Sequence, residues 1–178
     1  MTTEPQHDTN AKQPSAVPPY RKLSQKRPTR NVLFLCHDNS IASIMAEALL
    51  RRIGGEYFRA FSAGNRPNKE LNPLTVEVLK GRRVWQSDLR PKSWRELLSF
   101  NPPKLDLVIN LGECRPENTP SEWPGNPLLL HWHISEPDLD GEPQTKLRAF
   151  RATLTELETR IRLLVLVFEK EDREKLAA

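Results

Sequence analysis

The stretch Asn31-Val32-Leu33-Phe34-Leu35-Cys36-His37-Asp38-Asn39-Ser40-Ile41-Ala42-Ser43 decides how this chain is read. Val32 to Leu35 is a short unbroken apolar run, the pattern of a strand buried on both faces. From Ser43 to Arg52 the period becomes helical, with Met45, Ala48, Leu49 and Ile53 on one face and a Gly54-Gly55 stop. A buried strand feeding a helix through a short polar loop opens a βαβ unit. Ligands of such sheets bind at the C-terminal ends of strands, and the first such end carries Cys36.

Working outward, Tyr57 to Ser62 reads as a second strand closed by Ala63-Gly64, and Pro73 to Lys80 as a helix. Ser93 to Leu98 is a further short helix, and Leu105 to Leu111 the next strand. A Pro-rich loop from Cys114 to Pro127 leads into Leu128-Leu129-Leu130, a last short strand. In the C-terminal helix, Leu147, Phe150, Leu154, Leu157, Ile161, Leu164 and Phe168 recur at helical spacing. The order βαβα(α)βαβα predicts an α/β fold in three layers, a four-stranded parallel sheet with helices on both faces.

The 178 residues suffice for one domain of ordinary size. The net charge of +4 lies in residues 1–30, which hold six basic and two acidic residues and five of the sixteen prolines. This segment is expected to be a disordered, basic, Pro-rich tail, either inert or a tether to an acidic surface. The domain is expected over 31–170, with 171–178 a charged end. Residues 31–178 hold 21 residues of each sign, so nucleic acid is not an expected partner of the body. No apolar run approaches a membrane span, and no secretory h-region precedes the domain. With two cysteines and no disulfide framework, a reduced protein in the cytoplasm is expected.

A thiol between a buried strand and a helix N-terminus sits in the field of unpaired backbone N–H groups, which favours thiolate and a bound oxyanion. Cys36 is therefore a candidate nucleophile, the alternative being an inert buried cysteine.

The segment from Val32 to Leu49, with Cys36, Asn39, Ser40 and Ser43, resembles the phosphate loop of the low-molecular-weight protein tyrosine phosphatase and arsenate reductase family. Phe61-Ser62-Ala63-Gly64, Leu89-Arg90-Pro91-Lys92-Ser93, Asp106 to Leu111, and His131-Trp132 with Glu136-Pro137 resemble further family segments in the same order. The His131-Trp132 pair and the lack of tyrosine after Glu136-Pro137 favour the arsenate reductase branch. The resemblance implies Cys36 as nucleophile, Glu136 as general acid, and an anion site from Asn39, Ser40 and Ser43; His37, next to the nucleophile, is a further candidate to hold an anion at mildly acidic pH. It implies no cofactor and no metal.

The departures matter as much as the matches. The family's loop places Arg six residues after the Cys, and this chain has Ala42 there. Arg clamps two oxyanion oxygens through charge-assisted bonds worth about 1.5–3 kcal/mol each. Losing about 4 kcal/mol of transition-state stabilisation slows a step about a thousandfold. Asp38 stands where many members have Gly, and its carboxylate repels both thiolate and anion. Glu136 replaces the family's Asp with a longer stem. Gly112 and Thr119 stand where thioredoxin-coupled arsenate reductases carry relay cysteines, and Cys114 matches neither. Arg66, after the Ser62-Ala63-Gly64 turn, is the candidate replacement cation.

Two functions are therefore expected: a catalytically impaired binding or regulatory module, or a working phosphatase or single-thiol arsenate reductase using Cys36, Glu136 and a displaced Arg. The expected partner is an oxyanion or a protein. Leu163 to Phe168 is apolar all round, which implies a deep core or a homodimer interface.

Overall fold

The computed structural model describes residues 29–112, 119–120 and 122–177. Four parallel strands, β1 (Arg30–Cys36), β2 (Phe58–Gly64), β3 (Leu107–Leu111) and β4 (Leu128–Trp132), form one sheet in the order β2-β1-β3-β4. The helices are α1 (Ala42–Ile53), α2 (Pro73–Gly81), α3 (Trp94–Ser99) and α4 (Pro143–Ala177). The three-layer α/β architecture read from the sequence is the one observed.

Strand alternation divides the core. Val32 and Phe34 of β1 join the larger cluster, which includes Ile44, Met45 and Leu49 of α1 and Phe150, Leu157 and Ile161 of α4. Leu33 and Leu35 point to the opposite face, where Val108, Trp94 and Trp123 meet them. This double burial explains why β1 reads as a continuous apolar run.

The differences from expectation have local causes. β1 begins at Arg30, one residue inside the segment assigned to the tail, because its guanidinium forms a two-pronged ion pair with Asp172 at 2.6 and 2.9 Å. Arg30 also lies 4.4 Å from the Phe168 ring centroid. Both charged partners are buried. Helix α4 therefore continues through the stretch set apart as a charged end, and Asp172 belongs to the fold. Among the described residues no helix separates β3 from β4, since prolines interrupt that connection. Leu163 to Phe168 is not a deep core, because Leu163, Leu166 and Val167 are exposed while only Val165 is buried. The tail reading for residues 1–28, and Cys114, lie outside the described residues. No helix among the described residues is long and apolar enough to cross a membrane.

Candidate functional site

The β1–α1 loop curls around the sulfur of Cys36, at the C-terminal edge of the sheet. Cys36 pairs with Gly64 at the end of β2. A Cβ on Gly64 would lie 2.8 Å from the His37 carbonyl oxygen and 3.0 Å from Asn39 Cβ. The glycine therefore lets β2 close against the loop.

Asn39 organises the curl. Its φ of 49° is in the left-handed region, which asparagine tolerates better than most residues. Its backbone N–H donates to Cys36 Sγ at 3.2 Å. Its side-chain Nδ2 donates to Ser43 Oγ at 2.8 Å, and its Oδ1 accepts from the Lys92 backbone N–H at 2.8 Å. Ser43 Oγ in turn lies 2.8 Å from Sγ. Since Ser43 oxygen accepts from Asn39, its own proton is available to the sulfur.

Asp38 turns into the loop. Its Oδ1 accepts from the Ser40 N–H at 3.2 Å and its Oδ2 from Ser40 Oγ at 2.6 Å. Asn68 Nδ2 donates to Asp38 Oδ2 at 3.2 Å and to Ser40 Oγ at 3.1 Å, and Asn68 N–H donates to the Asp38 carbonyl at 2.8 Å. The thiol of Cys36 lies 3.8 Å from Asp38 Oδ1.

These surroundings set the state of the sulfur. Burial pushes the Cys36 pKa up from 9.0 to about 11; the Ser43 hydrogen bond opposes this, and the Asp38 charge adds to it. The expectation that the helix N-terminus would favour thiolate is thus corrected: desolvation outweighs the N–H groups, and the nearby carboxylate works against them.

Ala42 is buried and contributes only a methyl group. Among the described residues no Lys or Arg side chain hydrogen-bonds to residues 36–43. Arg66 donates its backbone N–H to the His37 carbonyl at 2.9 Å, but its side chain is exposed. His37 is exposed as well. Glu136 is exposed at the same rim of the sheet, its Oε1 3.8 Å from where a Cβ on Gly112 would stand. The structure brings together Cys36, Asp38, Asn39, Ser40 and Ser43, and leaves the side chains of His37, Arg66 and Glu136 outside the hydrogen-bonded cluster.

Behind the loop lies a group that sequence reasoning missed. Glu47 of α1 is fully buried and accepts from Arg51, Ser62 and Lys92. Lys92 Nζ is 2.9 Å from Glu47, 3.2 Å from Ser62 Oγ and 3.3 Å from the Arg90 carbonyl. The signal was a lone carboxylate among apolar positions of α1, since a buried charge needs partners. Asn68 left no such signal. No group of three or more His, Cys, Asp or Glu among the described residues could hold a metal.

The family model described as low molecular weight phosphotyrosine protein phosphatase matches residues 31–175. The chain belongs to this family. A glutaredoxin arsenate reductase from Synechocystis is 25% identical over 136 residues, covering 76% of this chain and 96% of that relative. An arsenate reductase structure from Archaeoglobus fulgidus is 27% identical, with a TM-score of 0.57, over 75% of this chain and 98% of that one. A structure of an arsenate reductase in the phosphate-binding state has a TM-score of 0.63 at 24% identity, over 78% of this chain and 98% of that one, a likeness of fold. In this member of the family, Cys36, Asn39 and Ser43 share one hydrogen-bonded loop with the Asp38 carboxylate.

Proposed function

We propose that this member of the low molecular weight phosphatase family is a binding or regulatory module with impaired catalysis. The observation that carries the reading is the inward carboxylate of Asp38, which holds the amide and hydroxyl of Ser40. An oxyanion entering the loop has to displace a negative charge already bonded there. It would gain no guanidinium in exchange, because Ala42 supplies none. A thiol with a pKa of about 11 is also ionised in only about one molecule in ten thousand at pH 7. Charge and protonation state thus oppose the family's chemistry together.

The test is turnover of para-nitrophenyl phosphate and of arsenate by the purified protein, beside the Cys36→Ser variant. The reading expects no difference between them; turnover abolished by Cys36→Ser would overturn it.

A second reading keeps an enzyme, either a phosphatase or a single-thiol arsenate reductase, the relatives named above being arsenate reductases. It is favoured by the intact Asn39–Ser43–Cys36 relay of hydrogen bonds. It requires Asp38 to leave the loop and Arg66 to enter it, with Glu136 as acid. Arg66→Ala then abolishes turnover, whereas unchanged turnover removes the proposed cation.

A further inference from the structure

The edge strand β4 runs out in His131-Trp132-His133. In extended chain, residues two apart share a face. Trp132 points to the larger core cluster, its ring centroid 6.1 Å from that of Phe34. That anchor turns His131 and His133 to the opposite side, where both are exposed. Their ring centroids stand 4.5 Å apart, with 61° between the ring planes.

The pair is supported from two directions. Asn110 is the partner of His131 in the β3–β4 register, and its Nδ2 lies 3.3 Å from His131 Nδ1. A carboxamide offers a donor or an acceptor, so this contact suits either tautomer and leaves Nε2 for another partner. The His133 carbonyl accepts from Arg160 of α4 at 3.0 Å, and the same guanidinium nitrogen donates to Glu156 at 2.9 Å. Among the described residues, the hydrogen bonds of His133 run through its carbonyl and not its ring.

The spacing of the rings is that of two neighbouring metal ligands. An imidazole nitrogen sits about 2.1 Å from a first-row metal and about 1.1 Å from its own ring centre, so the metal stands about 3.2 Å from each centroid. Two such ligands at a right angle place their centroids about 4.5 Å apart, and two at the tetrahedral angle about 5.2 Å. The observed 4.5 Å matches the right angle. Square-planar and tetragonal nitrogen sites suit Cu2+ and Ni2+, and Cu2+ heads the affinity order of the first-row divalent ions. Because both rings are exposed, the ion keeps its remaining water and no charge is buried.

We propose that His131 and His133 chelate a divalent transition metal, Cu2+ most tightly, at the open edge of the sheet. Two protein ligands do not close a coordination sphere, so the metal is exchangeable and keeps positions for water or an anion. The site lies two strands away from β1, and the proposal stands whether or not Cys36 is catalytic.

Titration of the full chain with Cu2+, followed by electron paramagnetic resonance, tests this; Cys114→Ser keeps that thiol from competing. One equivalent is expected to bind with a tetragonal signal split by two imidazole nitrogens, and Zn2+ to bind at least tenfold more weakly. His131→Asn and His133→Asn each weaken Cu2+ binding at least tenfold, since a second linked ligand adds about 10²–10⁴ in affinity. His7→Asn and His37→Asn leave it unchanged. In 15N spectra the bound Cu2+ broadens amides centred on residues 131–133. Circular dichroism confirms that each variant stays folded. Absence of saturable binding overturns the proposal, as does binding indifferent to either His131→Asn or His133→Asn. So does binding that follows His7 or His37, broadening centred elsewhere, or Zn2+ bound as tightly as Cu2+.

Discussion

Replacing Asp38 with Asn removes one charge and leaves an amide oxygen able to accept from Ser40. Both Asp38 oxygens accept, Oδ1 from the Ser40 N–H and Oδ2 from Ser40 Oγ and Asn68 Nδ2, so the substitution removes the charge near Cys36 and turns one of these acceptors into a donor. At 3.8 Å the Coulomb energy between Asp38 and a Cys36 thiolate is about 1.1 kcal/mol at the dielectric of water and about 4.4 kcal/mol at an effective dielectric of 20. The full rise from 9.0 to about 11 corresponds to about 2.7 kcal/mol. Burial is its largest cause, so the charge accounts for a minority, close to the lower Coulomb figure. Asp38→Asn is therefore expected to lower the Cys36 pKa by roughly half to one pH unit, leaving it above 9.0. The assay is the pH dependence of iodoacetamide alkylation, with Cys114 changed to Ser so that one thiol reports. The same raised value bears on stability. Cys36 contributes stability fully present below its unfolded value, and lost as the pH climbs through about 11. A native thiol titrating below pH 8, or an Asp38→Asn curve that coincides with the parent, would refute the reasoning.

Other residues give independent checks. Lys92→Met removes one of the two cations on buried Glu47 and is expected to cost about 3 kcal/mol, read as a lower urea midpoint. Gly64→Ala drives a methyl against the His37 carbonyl and is expected to destabilise by about 1–3 kcal/mol, with displaced Asn39 and Ser40 amide resonances. Ala42→Arg together with Asp38→Gly restores a cation and opens the loop. It should raise para-nitrophenyl phosphate turnover at least a hundredfold over the parent, and no gain would show that the loop itself cannot form the site. Asp172→Ala leaves Arg30 buried without its partner and is expected to cost about 3 kcal/mol in thermal or urea unfolding.

Much of this architecture was legible because β1 and α4 carry unambiguous periods. The run Val32–Leu35 could only serve a strand covered on both faces, and the 3–4 spacing from Leu147 onward could only serve a helix lying on a core. The ends were less legible, because pairing at a distance sets them. Arg30 and Asp172 are 142 positions apart, and nothing near either one announces the partner that draws both into the fold. At the site, the place of Cys36 at the end of a buried strand was readable from the sequence, and Asn39 and Ser43 were pointed to by the family resemblance. The direction of Asp38 was not. It depends on Ser40 and on Asn68, which reaches the loop from beyond β2. The protonation of Cys36 was misread for a related reason. Position suggested the field of a helix terminus, while burial, a property of the whole fold, decides the sign.

The central claim is that Asp38 occupies the place an oxyanion would need. The most direct measurement is a titration of the 15N-labelled protein with inorganic phosphate and with arsenate, following the Ser40 amide. The account predicts no saturable shift in the native chain and a saturable shift once Asp38→Gly and Ala42→Arg are combined. Saturable binding by the native chain at the Ser40 amide would contradict it.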